Sequence, residues 1–280
     1  MRKRPLEFAV VVVGALAVFS LLFAQASEQA TTTGVNTAKV KAPDPPDVTG
    51  IWVIPQRARG VLRTLSNYRP PMTPWGKAKF AKVRTSFDGR ELGNGVAPEK
   101  EWNDPIFQCD PNGYPRVMFH GEMTRFVVTP TEVLQFFERD HTWRDIWMDG
   151  RKLPEDPDPR YYGYAVGHWD GDTLVVESNG FIDRTWLDQY GSPHSDQMTT
   201  EERFRRVDHD NMEWTIALND PKTYTKPWVS DNIRLKWAPK SPRSETEEIR
   251  EDFCIWSDQN SFFKRIDSVG LGDAPTRKSK

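Results

Sequence analysis

Two kinds of apolar pattern divide the chain. Residues 8–23 form an almost unbroken apolar run behind Arg2, Lys3 and Arg4, ending at the small-x-small triplet Ala24-Gln25-Ala26. A basic start, an apolar core and a small-residue cleavage site are the parts of a secretory signal. The pattern therefore predicts a signal peptide over 1–26 and an exported product, periplasmic or extracellular. The run falls short of the ~20 apolar residues that span a bilayer, so no stable membrane span is expected after cleavage. No cysteine lies near the cleavage point to carry a lipid anchor. Residues 27–47 are Thr/Ala/Pro-rich and aperiodic, a flexible lead-in.

The second pattern is two-residue alternation. A short strand is expected over 47–54, and then a helix from Thr73-Pro74-Trp75 to Val83, with Thr at the N-cap and Pro at its first turn. Residues 86–116 are Gly/Pro-rich and irregular. From Arg125 onward strands are expected at 126–129, 132–137, 142–148, 161–169, 173–179, 199–207, 212–218, 232–237 and 247–254. Successive hairpins at this spacing predict a mainly β fold. An up-and-down antiparallel barrel is favoured, a β-sandwich is the alternative, and one short N-terminal helix accompanies either. A single β-rich domain is expected over 48–268, followed by a disordered tail over 269–280.

Composition adds two constraints. Without the signal, 35 basic and 39 acidic residues remain, and no basic block stands out, so nucleic acid is not an expected partner. Eleven tryptophans are many for this length. Cys109 and Cys254 are the only cysteines. In an exported chain an even pair reads as a disulfide.

Candidate chemistry clusters around the hairpin at Asp170-Gly171. A two-residue turn there would set His168 against Thr173, Val166 against Val175, Tyr164 against Glu177 and Tyr162 against Asn179. One face then collects Tyr162, Tyr164, His168, Glu177 and Asn179; the other carries Gly163, Ala165, Gly167, Leu174 and Val176. If the polar face lines a hollow, His168 is placed as general acid or base, oriented by Tyr164 or Glu177. If it faces water, the same residues are ordinary surface. His194, in the loop Gly191-Ser-Pro-His-Ser-Asp196, is a further catalytic candidate. His141, Arg144 and Trp147 are substrate-binding candidates: the arginine as a carboxylate clamp or a partner of Asp140 or Asp145, Trp143 and Trp147 as a stacking wall. Glu202 and Arg203 lie in an alternating charged strand, which suits either a wet cavity or a protected sheet edge. His168 and His194 with Glu177 or Glu202 could supply metal ligands, but no metal-binding spacing is present. No metal or other cofactor is expected.

Gly50-Ile51-Trp52 resembles the first strand of lipocalin-like barrels. A longer likeness runs through Asp140-His-x-Trp-Arg-x-Ile-Trp-Met-Asp-Gly-Arg151, Asp156-Pro-Asp-Pro159, Gly167-His-Trp-x-Gly-Asp-Thr-Leu-Val-Val176, Pro193-His-Ser-Asp196, Glu202-Arg-Phe-Arg-Arg206 and Asp220-Pro-Lys-x-Tyr-Thr-Lys-Pro-Trp228. These motifs resemble an exported bacterial family of hypothetical proteins with no assigned function. The resemblance implies a shared fold and export, and carries no activity. The expected function is binding of a small oxygenated, sugar-like or aromatic molecule, with His-centred lyase, isomerase or hydrolase chemistry if the protein is an enzyme. A non-catalytic module of the cell envelope is the alternative.

Overall fold

The computed structural model describes residues 47–55, 64–88, 95–238, 248–255 and 257–258. The expected signal peptide, the lead-in up to residue 46 and the expected tail lie outside the described residues. No helix among the described residues is long and apolar enough to cross a membrane.

The described chain forms β1 (Gly50–Val53), α1 (Pro74–Phe80), β2 (Met123–Val128), β3 (Glu132–Phe137), β4 (Thr142–Trp147), β5 (Tyr164–Asp170), β6 (Thr173–Asn179), β7 (Thr199–Asp208), β8 (Asn211–Asn219), β9 (Trp228–Val229) and β10 (Ile233–Trp237). α1 starts as the sequence predicts: the Thr73 hydroxyl accepts from the Gly76 amide at 3.1 Å, with Pro74 in the first turn. It ends within two turns.

The strands pair in the order β10-β1-β2-β3-β4-β5-β6-β7-β8-β9, and β10 also pairs with β8. Nine strands thereby close into a barrel, and β9 adds to the other half of the β8 edge. The expected barrel is thus formed, and the sandwich is not. One detail departs from the antiparallel expectation. β4 and β5 run parallel and are joined only at Ile146–Ala165 and Trp147–Val166. Residues 148–163 return the chain to the starting end before β5 begins, as a parallel neighbour requires.

The β5–β6 turn also differs in detail. Gly171 takes a left-handed φ of 62°, and the ladder closes at Asp170–Thr173, followed by His168–Val175, Val166–Glu177 and Tyr164–Asn179. The shift from the expected pairing is two residues, so the two faces keep their membership. Their direction is decided by burial. Ala165, Leu174, Val176 and Ser178 point into the barrel, whereas His168 and Glu177 are exposed on its outer wall. Tyr162 does not share the outer face, because Gly163 takes φ +65° and breaks the alternation, turning Tyr162 inward onto Phe137.

The interior is filled with side chains. Trp52, Phe126, Phe204 and Trp214 are fully buried, with Phe204 stacked on Trp214 at 5.9 Å and Phe126 edge-on to Phe204 at 5.1 Å. β7 lies between β6 and β8 and is no edge strand. Its outward Arg203 pairs with Asp170 and Glu201.

The strand expected over 247–254 is absent from the described part of that range. Its charges fall on both faces, leaving no apolar side to bury. The segment is instead a strap: Arg250 bonds Glu138 at 2.7 Å, Asp252 faces Arg139 at 3.3 Å, and Cys254 is disulfide-bonded to Cys109 with Cα atoms 5.4 Å apart. The expected disulfide is therefore present, closing a sequence separation of 145. Cys109→Ser should lower the unfolding free energy by about 2–4 kcal/mol. It should also expose residues 248–255 to limited proteolysis; an unchanged urea midpoint and cleavage pattern would count against that anchoring role.

Candidate functional site

The expected hollow behind Tyr164, His168 and Glu177 does not form, since that face is the outer wall. Tyr164 and His168 are four residues apart on one strand, about 13 Å at ~3.3 Å per residue. The residues the sequence suggested do not converge on one site; three places account for Arg144 with Glu202, for His194, and for Trp147 with Tyr164.

The first is inside the barrel. Arg144 of β4 and Glu202 of β7 meet with both side chains almost wholly excluded from water. The guanidinium reaches the two carboxylate oxygens at 2.9 and 3.1 Å, and its Nε donates to Gln135 Oε1 at 2.8 Å. Tyr114 donates its hydroxyl hydrogen to Glu202, and the Trp214 indole N–H donates to it at 3.2 Å. The Tyr114 ring lies 3.8 Å beneath the guanidinium. Burial alone would depress the arginine, but Glu202 and Tyr114 outweigh it and hold Arg144 above its usual range. Burial pushes the Tyr114 hydroxyl well up, keeping it a donor. Arg144 thus has its donors committed within the barrel, to a partner other than the expected Asp140 or Asp145.

The second place is the loop around His194. This ring is buried; its Nδ1 faces the Ser195 carbonyl at 3.1 Å and its Nε2 the Thr185 hydroxyl at 2.8 Å. A carbonyl only accepts, so Nδ1 carries the proton, and in the neutral ring that burial favours Nε2 accepts from the Thr185 hydroxyl. Ser195 bonds Asp220 at 2.7 Å through both its hydroxyl and its amide, while Asp196 pairs with Lys222 at the surface. His194, Ser195 and Asp196 therefore do not converge as a hydrolytic triad. Burial lowers the His194 pKa.

The third place is a cleft of about 400 Å³ on the outer wall, where β4 and β5 part. Over Thr142–Asp145, β4 is paired with β3 on one side but has no strand partner toward β5. Alternation sends Arg144 and Ile146 inward and Trp143, Asp145 and Trp147 outward. These three outward residues line the cleft together with Arg160, Tyr161 and Tyr164. Arginines lie over several of its rings: Arg151 over Trp147 at 3.7 Å, Arg160 over Tyr164 at 3.9 Å and Arg184 over Tyr161 at 5.0 Å. Trp143 is 55% exposed. Among the described residues, Asp145 has no ion-pair or hydrogen-bond partner for its carboxylate, and Arg160 has none for its guanidinium beyond the Tyr164 ring.

Of the sequence-derived candidates, Trp147 and Tyr164 come together in this cleft, with Arg144 and Tyr162 at its inner edge. His141 lies beside it, in an apolar pocket of about 270 Å³ that shares Thr142 and Trp143 and is bounded by Ile249 of the strap. Asn179 donates to the Pro154 carbonyl at 2.8 Å. His168, Glu177 and Arg203 are on the outer wall outside the cleft lining, and Glu202 is in the lumen. Asp145, Arg160 and Tyr161 were not singled out as ligand contacts. The signal for Asp145 was present, since residues 143, 145 and 147 share one face of a strand. For Arg160 and Tyr161 it was not, because the parallel β4–β5 contact brings them in.

The chain is thus a closed, mixed β-barrel with a packed lumen and an aromatic, charged cleft in its wall. No model of a protein family matches it. No match is found among curated proteins, and none among solved structures.

Two outcomes follow. Arg144→Met leaves Glu202 buried and unneutralised and should cost about 3–5 kcal/mol in urea unfolding. Arg144→Met/Glu202→Leu should recover part of that loss; additive losses would contradict the pairing. His194 titrates lower in the fold than in the open chain, so the unfolded state takes up its proton first. Stability is unaffected by this group above its ordinary value of about 6.5 and falls as pH drops from there toward the lowered folded value. His194→Asn should flatten the decline in melting temperature between pH 7 and pH 5; an identical slope would rule this out.

Proposed function

We propose that the protein is an exported β-barrel that binds a small molecule in the cleft between β4 and β5. The observation that carries this reading is the cleft's composition. Its volume lies within the range of ligand pockets, and it combines aromatic walls with a few unneutralised polar groups, the pattern of small-molecule sites. The barrel lumen is an unsuitable alternative because aromatic rings and the Arg144–Glu202 pair fill it. Export is supported by the pattern over residues 1–26 and by the disulfide, a bond favoured in oxidising compartments. The reading is of binding: the His168 imidazole is not part of the cleft lining.

A saturation-transfer NMR screen of small aromatic and polyhydroxylated compounds tests the site. Hits should compete with one another, and Trp147→Ala should weaken them about tenfold or more while leaving the circular dichroism spectrum unchanged. Hits indifferent to Trp147→Ala would move the site elsewhere. Export is checked separately by N-terminal sequencing of secreted or periplasmic protein. A first residue of Ser27 is expected, and retention of Met1 would contradict cleavage.

A further inference from the structure

We infer that the cleft's ligand is a saccharide, uncharged and presenting one apolar ring face. This rests on the β4–β5 cleft being the binding site. A sugar ring has two chemically different aspects: an axial C–H face that stacks on aromatic rings, and an equatorial rim of hydroxyls that both donate and accept.

The cleft offers a counterpart to each. Trp143 stands 55% exposed at its edge, with the Phe136 ring tilted against it at 6.4 Å, and no cation lies over its ring among the described residues. Its indole is therefore the free platform, while the rings of Trp147, Tyr164 and Tyr161 already carry Arg151, Arg160 and Arg184. Asp145 brings a half-buried carboxylate that accepts only, and Arg160 a guanidinium that donates only. Adjacent hydroxyls on one ring satisfy both together, each donating to Asp145 and accepting from Arg160. The unpaired β4 edge beside Thr142–Asp145 adds backbone groups of the same two kinds.

Other small-molecule classes fit less well. An anionic ligand would meet Arg160 but also Asp145. A cationic one would meet Asp145 but also Arg160; the other arginines nearby, Arg144, Arg151 and Arg184, are already paired with Glu202, Asp149 and Asp110. A purely aromatic molecule would stack on Trp143 and strip water from both charges without replacing its hydrogen bonds, which is costly. A polyhydroxylated neutral ring avoids all three conflicts.

The test titrates the full mature protein with a panel of neutral mono- and disaccharides and, in parallel, with an uncharged aromatic probe, followed by calorimetry. At least one saccharide should bind saturably, with Asp145→Asn and Trp143→Ala each weakening it about tenfold or more. Both side chains point outward, so neither variant should unfold the barrel; Arg160→Gln is a third variant with the same expected direction. Saccharide binding indifferent to all three variants overturns the proposal. So does an aromatic probe that depends on Trp143 but not on Asp145 when no sugar binds, although the cleft would then survive as a ligand site. If neither class binds, the cleft reading fails with the saccharide.

Discussion

The opposition of Arg144 and Glu202 across the barrel decides what the rest of the molecule can do. Two charges taken out of water are tolerable only when they neutralise each other and have their remaining hydrogen-bonding groups satisfied. Here Gln135, Tyr114 and Trp214 complete the set. The consequence is steric as well as electrostatic. The guanidinium, the carboxylate and the rings gathered around them occupy the centre of the barrel, so this barrel is a solid body and not a cup. This is why the proposed ligand site is assigned to the wall and not to the lumen.

The wall supplies a place because of how the chain closes. Antiparallel pairings account for the sheet except where 148–163 turns back and sets β5 parallel to β4. Two residues of each strand are enough to close the barrel. The strands then separate, and the gap leaves the outward side chains of β4 facing Arg160, Tyr161 and Tyr164. Gly163 contributes a left-handed turn that sends Tyr162 to the core and Tyr164 to the cleft. The cleft is thus a by-product of topology, lined by residues whose direction follows from ordinary strand alternation.

Much of the fold was legible in the sequence because strand alternation and turn residues are local signals. The strands of the β2–β8 region, the capped helix at Thr73-Pro74 and the Cys109–Cys254 bond could all be anticipated from residues close together or from chemistry that admits one partner. The cleft was legible only in part. Trp143 and Trp147 share a strand face and suggested a stacking wall, and Tyr164 stood out beside them. What the residues could not say was which face of the β5–β6 hairpin looked inward. Tyr, His and Glu beside two valines suit a lumen or a surface equally, and the aliphatic face won because Leu174 and Val176 gain more from burial. The parallel β4–β5 contact was likewise illegible, since no local signal distinguishes a returning crossover from a long loop. Arg144 was noticed, but its partner lies 58 positions away on β7.

The most direct test of the central claim, a solid barrel with its ligand site on the wall, uses the tryptophans as reporters. With indole nitrogens labelled by ¹⁵N, a bound small molecule should shift the N–H resonances of Trp143 and Trp147 and leave those of Trp52 and Trp214 where they were. Shifts concentrated on Trp52 and Trp214 would place the ligand in the lumen and contradict the account.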